Sequence, residues 1–427
     1  MQALIIAIFI LGYTAIVFEH NLKVNKAGTA LVMGILCWTV YILFAPGGYE
    51  SVLHQVNEQM SDISGILFFL LGAMAIVEVI DSHDGFRFIT DRIKSTNKRR
   101  LLWIITFIAF FLSAILDNLT TTIIMISLLG KLLGDTKDRL IFSSMIVIAA
   151  NSGGAWTPIG DVTTTMLWIG GQVSTVGVIK ELFLPSLVST LVPLAIFSVR
   201  MNGNAAPPAG KRKKRRGLRL PPALRNSIFF LGVLILLFVP VFKTLTHLPP
   251  FAGMMLGLGF LWIYTGILYR RHRGSPLKKN HLSVTSALHQ IDFSTILFFL
   301  GILLCVGALQ HTGILSSLAG WLERTVGNQS LTVTIIGLIS AVVDNVPLVA
   351  AAQGMYDFPV DHFFWKFLAY AAGTGGSILI IGSAAGVAAM GLQKIDFIWY
   401  LKRISPWALL GYLAGVATFI VGSKILG

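Results

Sequence analysis

The sequence predicts an all-α protein that crosses a membrane many times. Of its 427 residues, 55% are hydrophobic and 12% are charged, whereas a soluble domain carries about 25% charged residues. The mean hydropathy is +0.78, and the apolar residues fall in long runs suited to membrane helices. We therefore expect a polytopic protein with about ten transmembrane helices and two re-entrant hairpins.

The spans are predicted from apolar runs. These runs lie near residues 3–18, 27–44, 63–80, 140–168, 179–199, 226–244, 250–270, 292–311, 364–391 and 405–425. The first run has no basic residues before it and no small-residue cleavage site after it, so we interpret it as a retained span and not as a signal peptide. Both cysteines, Cys37 and Cys305, lie inside apolar runs. Neither a disulfide framework nor a metal cluster is expected.

The net charge of +14 is explained better by membrane topology than by nucleic-acid binding. With the N-terminus outside, most of the 33 Lys and Arg residues fall in predicted cytoplasmic segments, as the positive-inside rule requires. We expect both termini outside a bacterial-type cytoplasmic membrane and no nucleic-acid partner. The basic run 211–216 follows a flexible stretch, so 201–225 is predicted to be a cytoplasmic linker. Binding of this run to anionic lipid is the alternative.

Three segments recur in the same order, which predicts an internal duplication. Residues 62–70 return as 292–300, SAILDN at 113–118 returns as SAVVDN at 340–345, and AANSGG at 149–154 returns as AAGTGG at 371–376. The two halves, 1–200 and 226–427, each contain five predicted spans and one hairpin. Because an odd number of crossings inverts the second half, we expect two repeats of inverted topology.

Each half is predicted to contain a hairpin and a broken helix. The hairpins are expected at 101–134 and 331–356, entering from the cytoplasm and from outside respectively. The arm 331–343 is shorter than the roughly 20 residues that a full span needs. The broken helices are expected at 140–168 and 364–391, with Gly153, Gly154, Pro158 and Gly160 interrupting the first near the midplane. Such breaks expose carbonyls and amides to an ion or substrate site.

Polar side chains concentrate at the hairpin tips and helix breaks. A carboxylate in an apolar setting costs roughly 2.5–3.5 kcal/mol on insertion scales, so Asp117 and Asp344 are predicted to hold Na⁺. Burial favours the protonated carboxyl and a bound cation favours the carboxylate, so Na⁺ and H⁺ would compete for the same oxygens. Further hard oxygen ligands, suited to Na⁺ or Li⁺, are offered by Ser113, Asn118, Thr120, Thr121, Asn151, Ser152, Thr157, Asp161, Thr163, Thr164, Ser340, Asn345, Thr374, Ser377 and Ser383.

Several acidic residues have a simpler interpretation. The two Asp-Asn pairs are also consistent with Asx turns or helix caps, which would not exclude ion binding. Asp161 is equally consistent with capping the second half-helix and with ligation. Asp62 and Asp292 precede apolar runs, so N-capping is favoured for both. Glu78, near the cytoplasmic end of its span, suits a solvated or Arg-paired role as well as a proton relay.

The segment NSGGAWTPIGDVTTTMLW at 151–168 and the two Asp-Asn tips resemble the signature of NhaD-type sodium/proton antiporters. Their superfamily also contains arsenite and dicarboxylate carriers. The resemblance implies an electrogenic Na⁺(Li⁺)/H⁺ antiporter without a cofactor, a homodimer in the lipid bilayer that moves its hairpin-bearing domain against a scaffold. It attaches functional roles to Asp117, Asn118, Asn151, Asp161, Thr163, Thr164, Asp344, Asn345 and Ser377. The second half departs from the first, with Ser383 opposite Asp161.

Three other functions compete with cation exchange. A carrier of arsenite or a dicarboxylate is the nearest rival, but an anion would be repelled by Asp117 and Asp344. A passive cation channel would show flux without proton coupling. An enzyme is not expected, because no nucleophile with a reachable base and no His-Glu metal motif lies within the spans.

Overall fold

The computed structural model describes residues 1–17, 22–45, 48–90, 92–93, 95–205, 221–271 and 287–426. Within these ranges the chain is helical and contains no strand, only an isolated bridge between Asn97 and Asn204. The basic run 211–216 and most of the predicted linker 201–225 lie outside the described residues.

The first half of the chain forms helices α1 to α9. They are α1 (Gln2–Val17), α2 (Lys26–Phe44), α3 (Gly48–Ser82), α4 (Arg87–Thr90), α5 (Lys98–Leu116), α6 (Asn118–Leu132), α7 (Thr136–Ala155), α8 (Val162–Ile169) and α9 (Thr175–Arg200). The second half forms α10 (Pro222–Thr246), α11 (Pro250–Arg271), α12 (Phe293–His311), α13 (Ile314–Val326), α14 (Gln329–Ile339), α15 (Asn345–Met355), α16 (Phe363–Gly375), α17 (Ala384–Gln393), α18 (Phe397–Arg403) and α19 (Ser405–Leu426).

Eight of the described helices are long and apolar enough to cross a membrane. They are α2, α3, α5, α9, α10, α11, α12 and α19, and they confirm a multi-pass, all-α membrane protein. The number differs from the ten predicted spans for three reasons. Helix α1 has 16 residues and is too short. The broken segments add no span, because α7 has 20 residues but carries charged and polar residues and the other three pieces have only 8–13 residues. The hairpin arm α5 is itself long and apolar enough.

The chain reverses direction at the two predicted hairpins. Helices α5 and α6 meet at a single residue, Asp117. Helices α14 and α15 have 11 residues each, which span about 16 Å at 1.5 Å per residue, roughly half of a ~30 Å hydrocarbon layer. The short arms predicted for the second hairpin are therefore confirmed.

The two helix breaks also fall within the predicted segments. The chain leaves helical geometry at 156–161, between α7 and α8, and at 376–383, between α16 and α17. Gly153 and Gly154, expected in the interruption, belong to α7 instead. A Cβ on Gly153 would lie 2.1 Å from the carbonyl oxygen of Phe110, and one on Gly154 would lie 2.2 Å from that of Gly160. These glycines allow close backbone approach rather than a break.

Helix α3 is longer than its apolar run predicted. It has 35 residues, from Gly48 to Ser82, so Asp62 lies exposed in its interior. The prediction that Asp62 caps a helix is wrong, because the polar residues before it continue the helix beyond the apolar part. The same prediction for Asp292 is confirmed, since its side chain accepts a hydrogen bond from the backbone N–H of Thr295 at the start of α12.

Helices α2 and α12 pack against each other through glycines. A Cβ on Gly34 would lie 2.5 Å from the carbonyl oxygen of Gly301. Two contacts between larger side chains lie nearby. Trp38 Nε1 donates to the carbonyl oxygen of Leu304 at 2.8 Å, and the free thiols of Cys37 and Cys305 lie 3.5 Å apart. Small residues are what lets membrane helices approach this closely.

We predict that Gly34→Ala destabilises the fold by about 1–3 kcal/mol, because the added methyl overlaps the backbone of α12. The measurement is the thermal midpoint of the purified protein in detergent, followed by size-exclusion chromatography after heating. Gly28→Ala in the same helix is the matched control, since a Cβ there meets no atom within 4 Å. Equal midpoints for the two variants would contradict the close packing of α2 on α12.

Candidate functional site

Four short helices begin at the hairpin tips and helix breaks. They are α6, α8, α15 and α17, and their N-cap positions are occupied by Asp117, Asp161, Asp344 and Ser383. The free N–H groups and the dipole give a helix start a partial positive charge, which a carboxylate stabilises. Three of the four N-cap positions therefore carry an acidic side chain, whose negative charge the helix start favours.

Asp161 accepts hydrogen bonds from both hairpin tips. Its Oδ1 accepts from Nδ2 of Asn118, the first residue of α6, at 3.3 Å. Its Oδ2 accepts from Nδ2 of Asn345, the first residue of α15, at 3.4 Å. Oδ2 also accepts from Oγ1 of Thr163 at 2.8 Å. One carboxylate thus joins the first broken helix to both hairpins.

Asn151 extends this network to the second broken helix. Its Oδ1 accepts from Nδ2 of Asn118 at 3.0 Å, and its Nδ2 donates to Oγ of Ser383 at 2.9 Å. We call the six connected residues the central cluster. They are Asn118, Asn151, Asp161, Thr163, Asn345 and Ser383, and all four helix starts reach it.

The central cluster is closed to solvent. Asn118 and Asn345 are 5% exposed, Ser383 is 2% exposed, Asp161 is 1% exposed, and Asn151 and Thr163 are fully buried. The hydrogen bonds that the described side chains donate to Asp161 come from neutral amides and a hydroxyl. An ionised carboxylate buried among neutral groups is costly unless a cation or a proton neutralises it. The central cluster therefore holds one buried carboxylate whose charge a proton or a small cation would neutralise.

The carboxylate of Asp161 contacts both the hairpin tips and Thr163 in the first turn of its own helix α8. Asp161 occupies the N-cap position of α8 but makes no side-chain capping hydrogen bond. Ser383, at the corresponding position of α17, does cap by accepting from the N–H of Gly386 at 3.2 Å. The contacts of Asp161 with the two hairpin tips are compatible with ligation, and its role as a ligand stays a prediction.

Gly373 provides the space that the Asp161 carboxylate occupies. A Cβ at Gly373 would lie 2.8 Å from Asp161 Oδ2 and 3.2 Å from the Cβ of Ala155. The sequence reasoning missed this residue. The sequence did contain a signal for it. The repeat aligns Gly373 with Asn151, so the two halves differ at a position that contacts the site in both.

Asp117 and Asp344, where we predicted Na⁺, lie outside the central cluster. Asp117 accepts from the N–H of Thr120 at 2.8 Å and from its Oγ1 at 2.7 Å. Asp344 accepts from the N–H of Val346 at 3.3 Å. Both carboxylates cap their helices and are partly exposed. Their capping geometry agrees with the simpler interpretation and leaves their ion-binding role a prediction.

Asp117 has an unusual backbone conformation. Its φ is 115°, in a region that glycine adopts readily and that costs other residues on the order of 1–3 kcal/mol. Glycine would make the one-residue turn between α5 and α6 at no such cost. The strain is typical of residues held in place at functional sites.

Two of the predicted residues make the same hydrogen bond in each half. Ser113 Oγ donates to the carbonyl oxygen of Ala150 at 2.6 Å, and Ser340 Oγ donates to that of Ala372 at 2.8 Å. Each bond fixes a hairpin against the broken helix that follows it in the chain. These serines are framework residues and do not reach Asp161.

The other predicted residues lie around the central cluster and bond elsewhere. Four of their hydroxyls donate to backbone carbonyl oxygens: Thr157 to Ala114 at 2.6 Å, Thr164 to Ala155 at 3.3 Å, Thr374 to Tyr370 at 2.6 Å and Ser377 to Thr374 at 2.7 Å. The hydroxyl of Ser152 lies 3.3 Å from that of Ser189. Thr121 is fully buried without a hydrogen-bond partner. Glu78 is half-buried in α3, outside the central cluster.

Comparison with known proteins places the chain among membrane transporters. The family model described as citrate transporter matches residues 13–366. A solved structure of the YdaH transporter from Alcanivorax borkumensis superimposes with a TM-score of 0.58 at 11% identity, covering 94% of this chain and 97% of that one. At this identity the structural similarity shows the fold alone.

The curated relatives are more informative. Sodium/proton antiporters 1 and 2 of Arabidopsis thaliana are 48% and 46% identical to the chain, each over 97% of its length and over 71% and 98% of their own. The Na⁺/H⁺ antiporter NhaD of Alkalimonas amylolytica is 32% identical over 97% of this chain and 89% of its own length. The chain therefore belongs to the citrate transporter family and to the NhaD-type sodium/proton antiporters, as its motifs predicted.

Proposed function

We propose that this protein exchanges Na⁺ for H⁺ across a membrane and that Asp161 is the group that holds either ion. The observation that carries the proposal is a 1% exposed carboxylate bonded by neutral side chains between two hairpin tips. Relatives of the chain are named sodium/proton antiporters. The protein acts as a transporter and not as an enzyme.

Exchange follows from competition for one carboxylate. A proton neutralises Asp161 directly. A Na⁺ ion neutralises it while binding the hydroxyl oxygen of Thr163, and the amides of Asn118 and Asn345, whose Nδ2 atoms face Asp161 here, add their oxygens by turning over. The empty, ionised state is the costly one. Each ion therefore leaves most readily when the other replaces it. Asp117 and Asp344, partly exposed at the hairpin tips, attract cations to the site from its two sides.

The helix starts and the aspartates that occupy them have opposite effects on the charge of the ion that the site would favour. Four convergent helix starts by themselves favour an anion, which agrees with the description of the family as citrate transporters. In this chain Asp117, Asp161 and Asp344 place negative charge at three of them. A dicarboxylate or arsenite carrier remains the second candidate because of the helix starts, and the aspartates favour a cation.

We infer further that the two halves, 1–200 and 226–427, have inverted topology and that alternating access to the central cluster comes from movement of the hairpins and broken helices. The matching bonds of Ser113 and Ser340 support the duplication. Residues 201–225 then form a cytoplasmic linker, both termini lie outside the cytoplasmic membrane, Li⁺ is a second substrate, and the protein is a homodimer.

Inverted vesicles that carry the protein test the proposed exchange. We expect Na⁺ and Li⁺, but not K⁺ or citrate, to collapse an inside-acid gradient, and Asp161→Asn to lower the rate by at least about tenfold because no titratable or charged group remains. Asp292→Asn is the matched control, since Asn caps a helix about as well as Asp. A response to citrate and none to Na⁺ would favour the anion carrier.

Gly373→Ala tests the position of the Asp161 carboxylate without changing its charge. We expect the KM for Na⁺ to rise by at least about tenfold, because the new methyl displaces Oδ2 and one tenfold corresponds to about 1.4 kcal/mol. Gly391→Ala in α17, where a Cβ meets no atom within 4 Å, is the control. An unchanged KM for Na⁺ in Gly373→Ala would place the ion away from Asp161.

Reporter fusions test the proposed topology. An alkaline phosphatase fused after the last residue should be active, because this reporter folds only outside the cytoplasm, whereas the same reporter fused after Arg200 should be inactive. Green fluorescent protein at the two positions should give the opposite pattern. A fluorescent fusion at the C-terminus would refute the inverted arrangement of the two halves.

A further inference from the structure

Besides Ser186 in α9, four fully buried hydroxyls of the described residues have no hydrogen-bond partner. They belong to Thr106 in α5, Thr121 and Thr122 in α6, and Ser143 in α7, and each residue is 0% exposed. Leaving a hydroxyl buried and unpaired costs about 1–3 kcal/mol. Four such groups in neighbouring helices indicate that these hydroxyls serve something other than packing.

Other buried hydroxyls in the chain show what a structural hydroxyl does. Ser144, next to Ser143, donates to the carbonyl oxygen of Leu140 at 2.8 Å. Thr265 in α11 donates to that of Leu261 at 2.9 Å. This bond to the preceding turn is the usual arrangement for Ser and Thr within helices. The four unpaired hydroxyls depart from it.

The three helices that carry these hydroxyls form one bundle. Helices α5 and α7 run in the same direction, because an ion pair joins their first turns and a hydrogen bond joins their later turns. The ion pair is Lys98 Nζ to Asp138 Oδ2 at 2.7 Å, and the hydrogen bond is Ser113 Oγ to Ala150 O at 2.6 Å. Helix α6 returns beside both of them.

Thr106 and Ser143 lie on the faces where α5 and α7 meet. Thr106 precedes Ser113 by seven residues, and Ser143 precedes Ala150 by seven. Seven residues make about two helical turns, so each hydroxyl lies on the same face as the bonded residue that follows it. Both therefore lie between α5 and α7, on the side of the ion pair.

Thr121 and Thr122 continue the line toward the central cluster. Asn118, at the start of α6, bonds to Asn151. Residues three and four positions later share its face of the helix, so Thr121 and Thr122 lie one turn from the central cluster. We call Thr106, Thr121, Thr122 and Ser143 the hydroxyl seam. From Asn151 to Asp138 along α7 the distance is about 20 Å at 1.5 Å per residue.

The second half lacks this feature. The repeat alignment places Val333 opposite Thr106, Leu348 and Val349 opposite Thr121 and Thr122, and Trp365 opposite Ser143. Val333 and Val349 are 0% exposed and Trp365 is 1% exposed. The same places in the second hairpin and broken helix are therefore filled by apolar side chains.

We propose that the hydroxyl seam is the proton pathway between Asp161 and the face of the protein where Lys98 and Asp138 pair. A hydroxyl both donates and accepts a hydrogen bond, so a row of them, with water between, relays protons. Na⁺ does not follow this route, because an ion needs about six oxygens around it at once, whereas a proton passes along single hydroxyls. The inference rests on the proposed Na⁺/H⁺ exchange and adds a separate path for H⁺, present in one half only.

The test compares two transport modes of the purified protein in liposomes. The double variant Thr122→Val/Ser143→Ala removes two seam hydroxyls with little change in volume. We expect Na⁺/H⁺ exchange, measured with an internal pH dye, to slow by about tenfold. Exchange of ²²Na⁺ for Na⁺ at equal pH needs no proton and should stay close to the wild-type rate. The thermal midpoint should not fall, because removing an unpaired buried hydroxyl also removes the cost of burying it.

Thr265→Val is the matched control, since its hydroxyl is equally buried but bonded and lies in α11. It should leave both transport modes unchanged. Wild-type Na⁺/H⁺ exchange in the double variant would overturn the pathway. An equal loss of both modes would also overturn it, because the hydroxyls would then belong to the Na⁺ site. Absence of Na⁺/H⁺ exchange in the wild-type protein would overturn the proposed function itself.

Discussion

The burial of one carboxylate where four helices begin is the constraint on which the rest of the fold depends. Asp161 needs donors and dipoles from several directions, and a continuous membrane helix offers none, because its backbone groups are already paired. Helix breaks and hairpins supply free helix starts at the depth of the site. Glycines then bring these irregular segments together, as Gly153 does against Phe110 and Gly373 does against Asp161. The departures from regular helix are thus consequences of the site.

The helix starts also bear on the charge of the ion that the proposed site would bind. The family description names citrate, an anion, and helix starts are a natural site for one. In this chain Asp117, Asp161 and Asp344 occupy three of the four starts. Because each helix start contributes only about half a positive elementary charge, three ionised carboxylates outweigh the four starts together.

Much of the fold could be predicted because membrane helices follow simple rules. Apolar runs predicted most spans, arm lengths predicted the short second hairpin, and glycines with Asp-Asn pairs marked the breaks and tips. The polar start of α3 could not be predicted, because residues 48–62 have no apolar run and become helical as a continuation of the span. The error at Asp62 follows from this.

The sequence indicates which polar residues belong to the site more clearly than it indicates that Asp161 lies at the centre of the site. The repeat made Asp117 and Asp344 stand out because each has a counterpart, whereas Asp161 is matched by Ser383 and was ranked below them. Capping by Asp117 and Asp344 could be anticipated, since local sequence determines it. The contacts of Asp161 with Asn118 and Asn345 could not be anticipated, because those two residues come from separate hairpins.

The differences between the halves explain how a duplicated fold makes one site. If both halves were chemically identical, the pseudo-symmetry would create two equal carboxylates in the central cluster, and their repulsion would favour binding of two cations or a shared proton. In this chain Asp161 instead lies against Gly373, and Asn151 donates a hydrogen bond to Ser383. In each contact a larger polar side chain meets a small residue. The framework bonds of Ser113 and Ser340 stay alike, because both hairpins must pack in the same way. The hairpins thus keep matching framework bonds, while divergence at a few positions leaves a single carboxylate in the central cluster.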